Sequence, residues 1–162
     1  MSFTIRKAEK NDSQDILNLI QHLADFEKEP EAVEITLQDI ENDGFGEKPL
    51  FQVLLAEKGS KVVGMALYYY RYSTWKGKTI HLEDLIVHEN MRKQNIGSTL
   101  YDAVLKQASN ENIRRVEWVV LDWNTPARDF YRSTGAKILE GWETVQMDEE
   151  GLKKHISKRD IN

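Results

Sequence analysis

The 162-residue sequence contains no cysteine. Disulfides, thiolate nucleophiles and Cys-ligated zinc are therefore excluded, and proton-transfer chemistry is left to His, Glu, Asp, Lys and Tyr. Proline is scarce, with three residues, and nine glycines are spread thinly, so no linker, repeat or low-complexity tract divides the chain. No apolar run is long enough to span a membrane and no signal-peptide pattern is present. A cytoplasmic location and no membrane partner are the expectations. Basic residues are outnumbered 22 to 27, giving a net charge of −5. That balance disfavours nucleic acid as a partner and suits a small cationic one. With 40% hydrophobic and 30% charged residues, the length fits one globular domain over residues 1–162.

The stretch "FTIRKAE" alternates as a first strand. Ile16, Leu19, Ile20, Leu23 and Phe26 then recur at helical spacing behind an Asn/Asp/Ser cap cluster. "TLQDIENDGFG" reads as a short helix with Thr36 and Asp39 in a capping box and Gly44 as its stop. "LFQVLLAE", "VVGMALYYYRY" and "TIHLEDLIV" read as strands joined by hairpins at "KGSK" and "STWKGK". Helix "GSTLYDAVLKQASN", strand "RRVEWVVL", helix "PARDFYRST", strand "AKILEGWETVQMD" and a polar helix-like tail follow. The order β-α-α-β-β-β-α-β-α-β predicts an α/β (α+β mixed) fold, a central mixed, largely antiparallel sheet flanked by helices on both faces.

The segment "LEDLIVHENMRKQNIGSTLYDAVL" passes from strand through a basic turn into a helix. A helix opening at Gly97 and Ser98 leaves amide N–H groups free at its positive end, and Arg92 and Lys93 add cations nearby. Asn95 is the non-glycine residue that best tolerates a left-handed backbone. These features fit an anion site as well as an ordinary strand-to-helix loop. The G-x-G-x-x-G and G-x-x-x-x-G-K-[ST] patterns are absent.

The element order and these residues together resemble the GNAT N-acetyltransferase superfamily, whose pyrophosphate signature Gln/Arg-x-x-Gly-x-Gly/Ala falls on Arg92-Lys93-Gln94-Asn95-Ile96-Gly97, with Asn95 at the middle glycine. "NDGFGEKP", "VGMALYYY", "WKGKTIHLEDLIV" and "WNTPARDFYRSTGA" are similar to its spermidine/spermine and thialysine acetyltransferase branch. The resemblance implies acetyl-CoA as cosubstrate, no metal, and a homodimer. It places the backbone of Leu85, Ile86 and Val87 along the pantetheine arm, Lys93 to Ser98 on the pyrophosphate, and Asn124, Thr125, Pro126 and Ala127 along the coenzyme. Tyr131 matches the general acid that protonates the departing thiolate.

The incoming amine poses the other demand, since an alkyl ammonium of pKa about 10.4 is deprotonated only about once per thousand molecules at neutral pH. By the same resemblance Glu83 is the base acting through a water, and His81 is a possible relay two positions earlier on the same face. Asp84 would point to the opposite face of a regular strand unless a bulge intervened. Phe26, Glu27, Glu117 and Glu140 match positions that contact substrate. Trp75 is expected to pack its hairpin, with a cation-π wall as the other reading. The expected function is acetyl transfer to a primary amine of a diamine, polyamine or lysine-like amino acid by direct transfer in a ternary complex. A peptide or protein amine, or a non-catalytic acyl-CoA-binding module, are the alternatives.

Overall fold

A computed structural model describes residues 2–158. They fall into two compact units, Met1–Val119 and Val120–Asn162. The first holds β1 (Thr4–Lys7), α1 (Ser13–Glu27), α2 (Leu37–Phe45), β2 (Gln52–Lys58), β3 (Lys61–Ser73), β4 (Gly77–Val87), α3 (Ile96–Asn110) and β5 (Val116–Glu117). The sheet runs β1-β2-β3-β4-β5, antiparallel throughout except for the parallel β4–β5 pair. The mixed, largely antiparallel sheet expected from the sequence is present.

Alternation along the strands gives the sheet two apolar faces. Val53, Leu55, Met65, Leu67 and Ile86 pack under Ile16 and Leu19 of α1 and Ile40 of α2. Ile96, Leu100, Tyr101, Val104 and Ala108 of α3 are buried, and α3 packs on β2, β3 and β4. Helices thus cover both faces. At the entrance to α1, Asp12 is buried and accepts two hydrogen bonds from the Arg6 guanidinium, at 2.7 and 2.8 Å, while Arg6 also reaches Glu57 at 2.7 Å. Arg6 holds the Asp12 carboxyl below its ordinary pKa.

The Thr36–Asp39 capping box forms in both directions. Gly44 does not stop α2, which runs on to Phe45 and closes at Gly46. Its small size serves packing: a Cβ there would meet the Phe51 ring at 2.7 Å. The hairpins turn through Gly59 and Gly77, both at positive φ. Trp75 does not pack its hairpin; it is 79% exposed. The expected strand over 114–121 shrinks to Val116–Glu117, which pair only with Ile80 and His81.

The second unit contains α4 (Thr125–Ser133) and α5 (Glu149–Ser157). Asn124 caps α4 by accepting the Ala127 N–H at 3.3 Å, with Pro126 in the first turn, where its missing N–H costs nothing. The strand expected at "AKILEGWETVQMD" does not form: residues 136–148 carry neither strand nor helix. An alternating pattern makes a strand only where an edge is available to bond it, and this unit has no strand among its described residues. The observed order is therefore β-α-α-β-β-β-α-β-α-α.

Replacing Asp12 by Ala strands Arg6 with one partner and should lower unfolding stability by about 2 kcal/mol in chemical denaturation. Because the folded-state pKa of Asp12 is depressed, the wild-type advantage should be complete above about pH 4 and fade below it as the carboxylate takes up a proton.

Candidate active site

The register of β3 against β4 shifts once. Leu67 pairs with Asp84 and Tyr68 with Leu82, so Glu83 is an extra residue, a β-bulge. Cross-strand partners share a face. Asp84 therefore lies on the α1/α2 face with Leu67, and His81 lies there with Tyr69. Glu83 reaches the same face, accepting from the Tyr69 hydroxyl at 3.0 Å and lying 3.4 Å from His81 Nε2. The bulge brings His81, Glu83 and Asp84 together, where an unbroken strand would have separated the two carboxylates.

A charged chain stands behind Glu83. Arg71 can only donate, so its contact with His81 Nδ1, at 3.0 Å, makes that nitrogen the acceptor and leaves the imidazole proton on Nε2, facing Glu83. Arg71 also pairs with Glu117, which Arg115 holds at 2.7 Å from the other side. Glu117, expected to face substrate, is thus engaged by two guanidinium groups of its own unit. His81, with Tyr69 assisting, holds Glu83 below the ordinary glutamate pKa.

Asp84 has the opposite environment. Burial, with the fields of Glu83 and Glu27 added, raises its pKa to about 7. Its carboxylate accepts no hydrogen bond and pairs with no cation among the described residues. Partial desolvation also raises Glu27, at the end of α1. Glu83 and Asp84 line a cavity of about 550 Å³ whose other walls are Ile20, Ile40, Leu50, Phe51, Leu67, Tyr69 and the 32–35 segment before α2. Glu34 is the third carboxylate on its lining, and no cation lines it. An acidic wall in an otherwise apolar cavity suits an ammonium group on an apolar stem. From the sequence Asp84 shares the Glu83 face only if a bulge intervenes, and nothing local singles out Tyr69; the adjacent pair Glu83-Asp84 is the only local signal for the former.

The main chain of β4 serves a different direction. His88 N–H donates to Val63 O, so by alternation Ile86 also bonds toward β3, while Leu85 and Val87 turn toward the edge beyond β5's last pair. Arg92 Nε donates to the Val87 carbonyl at 3.3 Å, and its guanidinium lies 5.0 Å from the centre of the Phe26 ring. Phe26 thereby supports the 92–98 loop.

In that loop Lys93 and Asn95 both have φ near +60°. Asn95 is the N-cap of α3, and its side chain does not cap the helix. The first intrahelical bond is Thr99 N–H to Asn95 O, at 3.0 Å, which leaves the amides of Ile96, Gly97 and Ser98 ahead of it. A Cβ on Gly97 would meet only Val87 Cγ2, at an ordinary 3.6 Å, so the space beside this amide is not filled by protein. Gln94 is tethered by Lys58 at 2.8 Å. This is a cradle that a phosphate-bearing cofactor would fit, with donors from the backbone and cations from Arg92 and Lys93. Among the described residues no group of three or more His, Cys, Asp or Glu could hold a metal ion.

In the second unit Tyr131 lies on α4, seven residues after the Asn124 cap, with Thr125, Pro126 and Ala127 forming the first turn. Glu140 lies in the irregular 136–148 segment, exposed and next to Gly141 at φ +81°.

Comparison with known proteins places this arrangement. Residues 14–136 match the acetyltransferase (GNAT) family, and the chain belongs to that family. It is 39% identical to thialysine N-epsilon-acetyltransferase of Bos taurus, covering 95% of this chain and 97% of that protein. It is 36% identical to spermidine/spermine N(1)-acetyltransferase-like protein 1 of Homo sapiens, over 93% of this chain but 23% of that longer protein. Among solved structures, an integron cassette protein from the mobile metagenome of V. cholerae superposes with a TM-score of 0.79 at 26% identity, covering 96% of this chain and 98% of that one.

His81→Ala should let the Glu83 pKa rise toward its ordinary value, because the first cause of its depression is removed. Carboxyl carbon-13 NMR titration reads this directly. An unchanged Glu83 titration would mean that Tyr69 and Arg71 suffice.

Proposed function

We propose that the protein is an acetyl-CoA-dependent N-acetyltransferase that acetylates a primary amine of a small cationic substrate, a diamine, polyamine or lysine-like amino acid, by direct transfer in a ternary complex. The observation that carries this reading is the acid-walled cavity on one side of β4, a strand whose open edge leads to the amides at the start of α3. The two named relatives are acetyltransferases whose names specify thialysine and spermidine/spermine. The cavity of about 550 Å³ has room for a small amine.

Acetyl-CoA supplies the acetyl group as a thioester. In this reading the amides of Ile96 to Ser98, with Arg92, Lys93, Gln94 and Asn95, hold the pyrophosphate, and main-chain groups of Leu85 to Val87 align the pantetheine arm, chiefly Leu85 and Val87 on the open edge. Asn124, Thr125, Pro126 and Ala127 contact the coenzyme further along. Tyr131 carries the proton for the departing thiolate, since a phenol of pKa about 10 is protonated at neutral pH. Glu83 attracts the ammonium; Phe26, Glu27, Glu117 and Glu140 shape recognition around it, Glu117 through its link to Arg71. The presence of both carboxylates and Tyr131 weighs against a module that only binds acyl-CoA.

The same reading takes residues 1–162 as one functional domain in the cytoplasm, acting as a homodimer. The family match runs across the boundary between the two units. No described helix is long and apolar enough to cross a membrane. Leu139, Trp142, Val145 and Met147 of the 136–148 segment are exposed apolar side chains that a second copy would cover.

A steady-state screen of amines with acetyl-CoA, followed by free thiol release, tests the activity. Gly97→Pro should weaken coenzyme A binding about tenfold or more in calorimetry, through loss of a charge-assisted donor, while Asn95→Gly should bind at least as well as wild type. Tyr131→Phe should cut kcat by about 10²-fold or more with coenzyme affinity retained. A wild-type chain inactive on every amine would refute the reading. Sedimentation equilibrium should give a dimer that Trp142→Asp with Val145→Asp converts to monomer.

A further inference from the structure

We propose that Asp84, not Glu83, accepts the proton from the substrate ammonium, and that Glu83 is the fixed negative charge that holds that ammonium; the assignment rests on the amine-transfer reading above. Three observations carry it. The bulge at Glu83 turns Asp84 into the cavity beside Glu83 instead of away from it. Glu83 has one of its oxygens, Oε2, engaged by both the Tyr69 hydroxyl and the proton-bearing nitrogen of His81. Asp84 has no such partner among the described residues, so a carboxylate on the cavity wall keeps its lone pairs for whatever enters.

The charges that act on Asp84 are two carboxylates, Glu83 and Glu27. Glu83 and His81 flank it on β4, Tyr69 faces it from β3, Glu27 acts on it from α1, and Glu34 lines the cavity from the segment before α2. Arg71, the nearest cation in the chain of contacts, is committed to His81 and Glu117. Burial and two neighbouring carboxylates make Asp84 the readier of the pair to take up a proton, and its pKa of about 7 agrees. His81 and Tyr69 make Glu83 the one that stays charged.

The step balances as follows. The ammonium gives one proton to the Asp84 carboxylate and becomes a neutral amine. Its lone pair forms the new C–N bond at the thioester carbonyl, and the C–S bond breaks. The second proton lost by nitrogen ends on the departing thiolate, and Asp84 returns its proton to solvent. Ammonium and thioester become amide, thiol and one released proton.

The test compares pH profiles of kcat/KM on one good amine for wild type, Asp84→Asn and Glu83→Gln, with a carbon-13 titration of the Asp84 carboxyl in the full-length, coenzyme-free wild-type chain. Wild type should lose activity on the acid side with a midpoint near neutrality. In Glu83→Gln this limb should persist and move to lower pH, because one neighbouring negative charge is gone. In Asp84→Asn it should disappear, with activity at neutral pH down about 10²-fold and recovering as the pH approaches the ammonium's own pKa. The Asp84 carboxyl should titrate near pH 7. A limb that survives in Asp84→Asn, or vanishes in Glu83→Gln, overturns the assignment. So does an Asp84 titration in the ordinary carboxylate range, which is read on wild type and holds even if a variant fails to fold. An active wild type with the limb on Glu83 would refute this assignment alone, leaving the acetyltransferase reading intact.

Discussion

The site depends on one extra residue in β4. With the ladder to β3 unbroken, Glu83 and Asp84 would project to opposite faces, one toward α1 and α2 and the other into the apolar surface under α3. The insertion of Glu83 opposite the Leu67–Tyr68 step places both carboxylates on the α1/α2 face and keeps Leu82 and Ile80 buried. Two like charges side by side repel, and the arrangement is tolerable because their environments differ. His81 and Tyr69 stabilise the charged form of Glu83, with Arg71 and its Glu117 and Arg115 partners behind them. Asp84 is left with burial and negative neighbours. A pair of carboxylates pushed in opposite directions is a recurrent way of dividing roles between two chemically equal groups.

The same strand serves two surfaces because side chains and main-chain groups of a β-strand point along perpendicular directions. The side chains of Glu83 and Asp84 address the cavity, while the peptide groups of Leu85 and Val87 lie in the sheet plane at an edge that β5 stops covering after Glu117. The bulge lies two residues beyond the last β4–β5 pair, where it puts the edge groups of β4 out of step with a continuing parallel partner. The cavity wall and the open edge therefore share a cause. Arg92 then ties the end of the strand to the loop: it bonds the Val87 carbonyl and covers Phe26, so the C-terminal end of α1 and the start of the 92–98 cradle are held in one contact.

Most of the sheet could be read from the sequence because its signals are local. Alternation placed β1 to β4, helical spacing placed α1 to α3, and the Thr36–Asp39 box and the glycines at 59 and 77 marked their ends, as each of these reports the conformation of a few consecutive residues. What was not legible belongs to pairing. Nothing in "HLEDLIV" says which residue is the extra one, since a bulge is defined only against Leu67 and Tyr68 of the partner strand. "AKILEGWETVQMD" has the right alternation, yet residues 136–148 form no strand, because alternation describes a face and not an available edge. Glu117 looked free for substrate since Arg71 lies 46 positions away in sequence and reaches it only across the folded sheet. The face of Asp84 depends on the same register, since only a bulge brings it beside Glu83.

Magnitudes explain why the division between the two carboxylates matters for an amine substrate. An alkyl ammonium has a pKa of about 10.4 and an ordinary glutamate about 4.3, so moving a proton from one to the other is uphill by about 8 kcal/mol. Any device that holds Glu83 below its ordinary value makes that transfer harder still. Against a carboxyl at about 7 the same transfer is uphill by only about 4.6 kcal/mol, and the acceptor is still largely ionised just above neutrality. A base near the working pH gives the best compromise between being empty of its proton and being willing to take one. An ammonium must also be drawn in while still charged, and for that a carboxylate that never protonates near neutrality is the better group. One carboxylate cannot meet both demands, and the bulge in β4 is what allows two to meet them at one place.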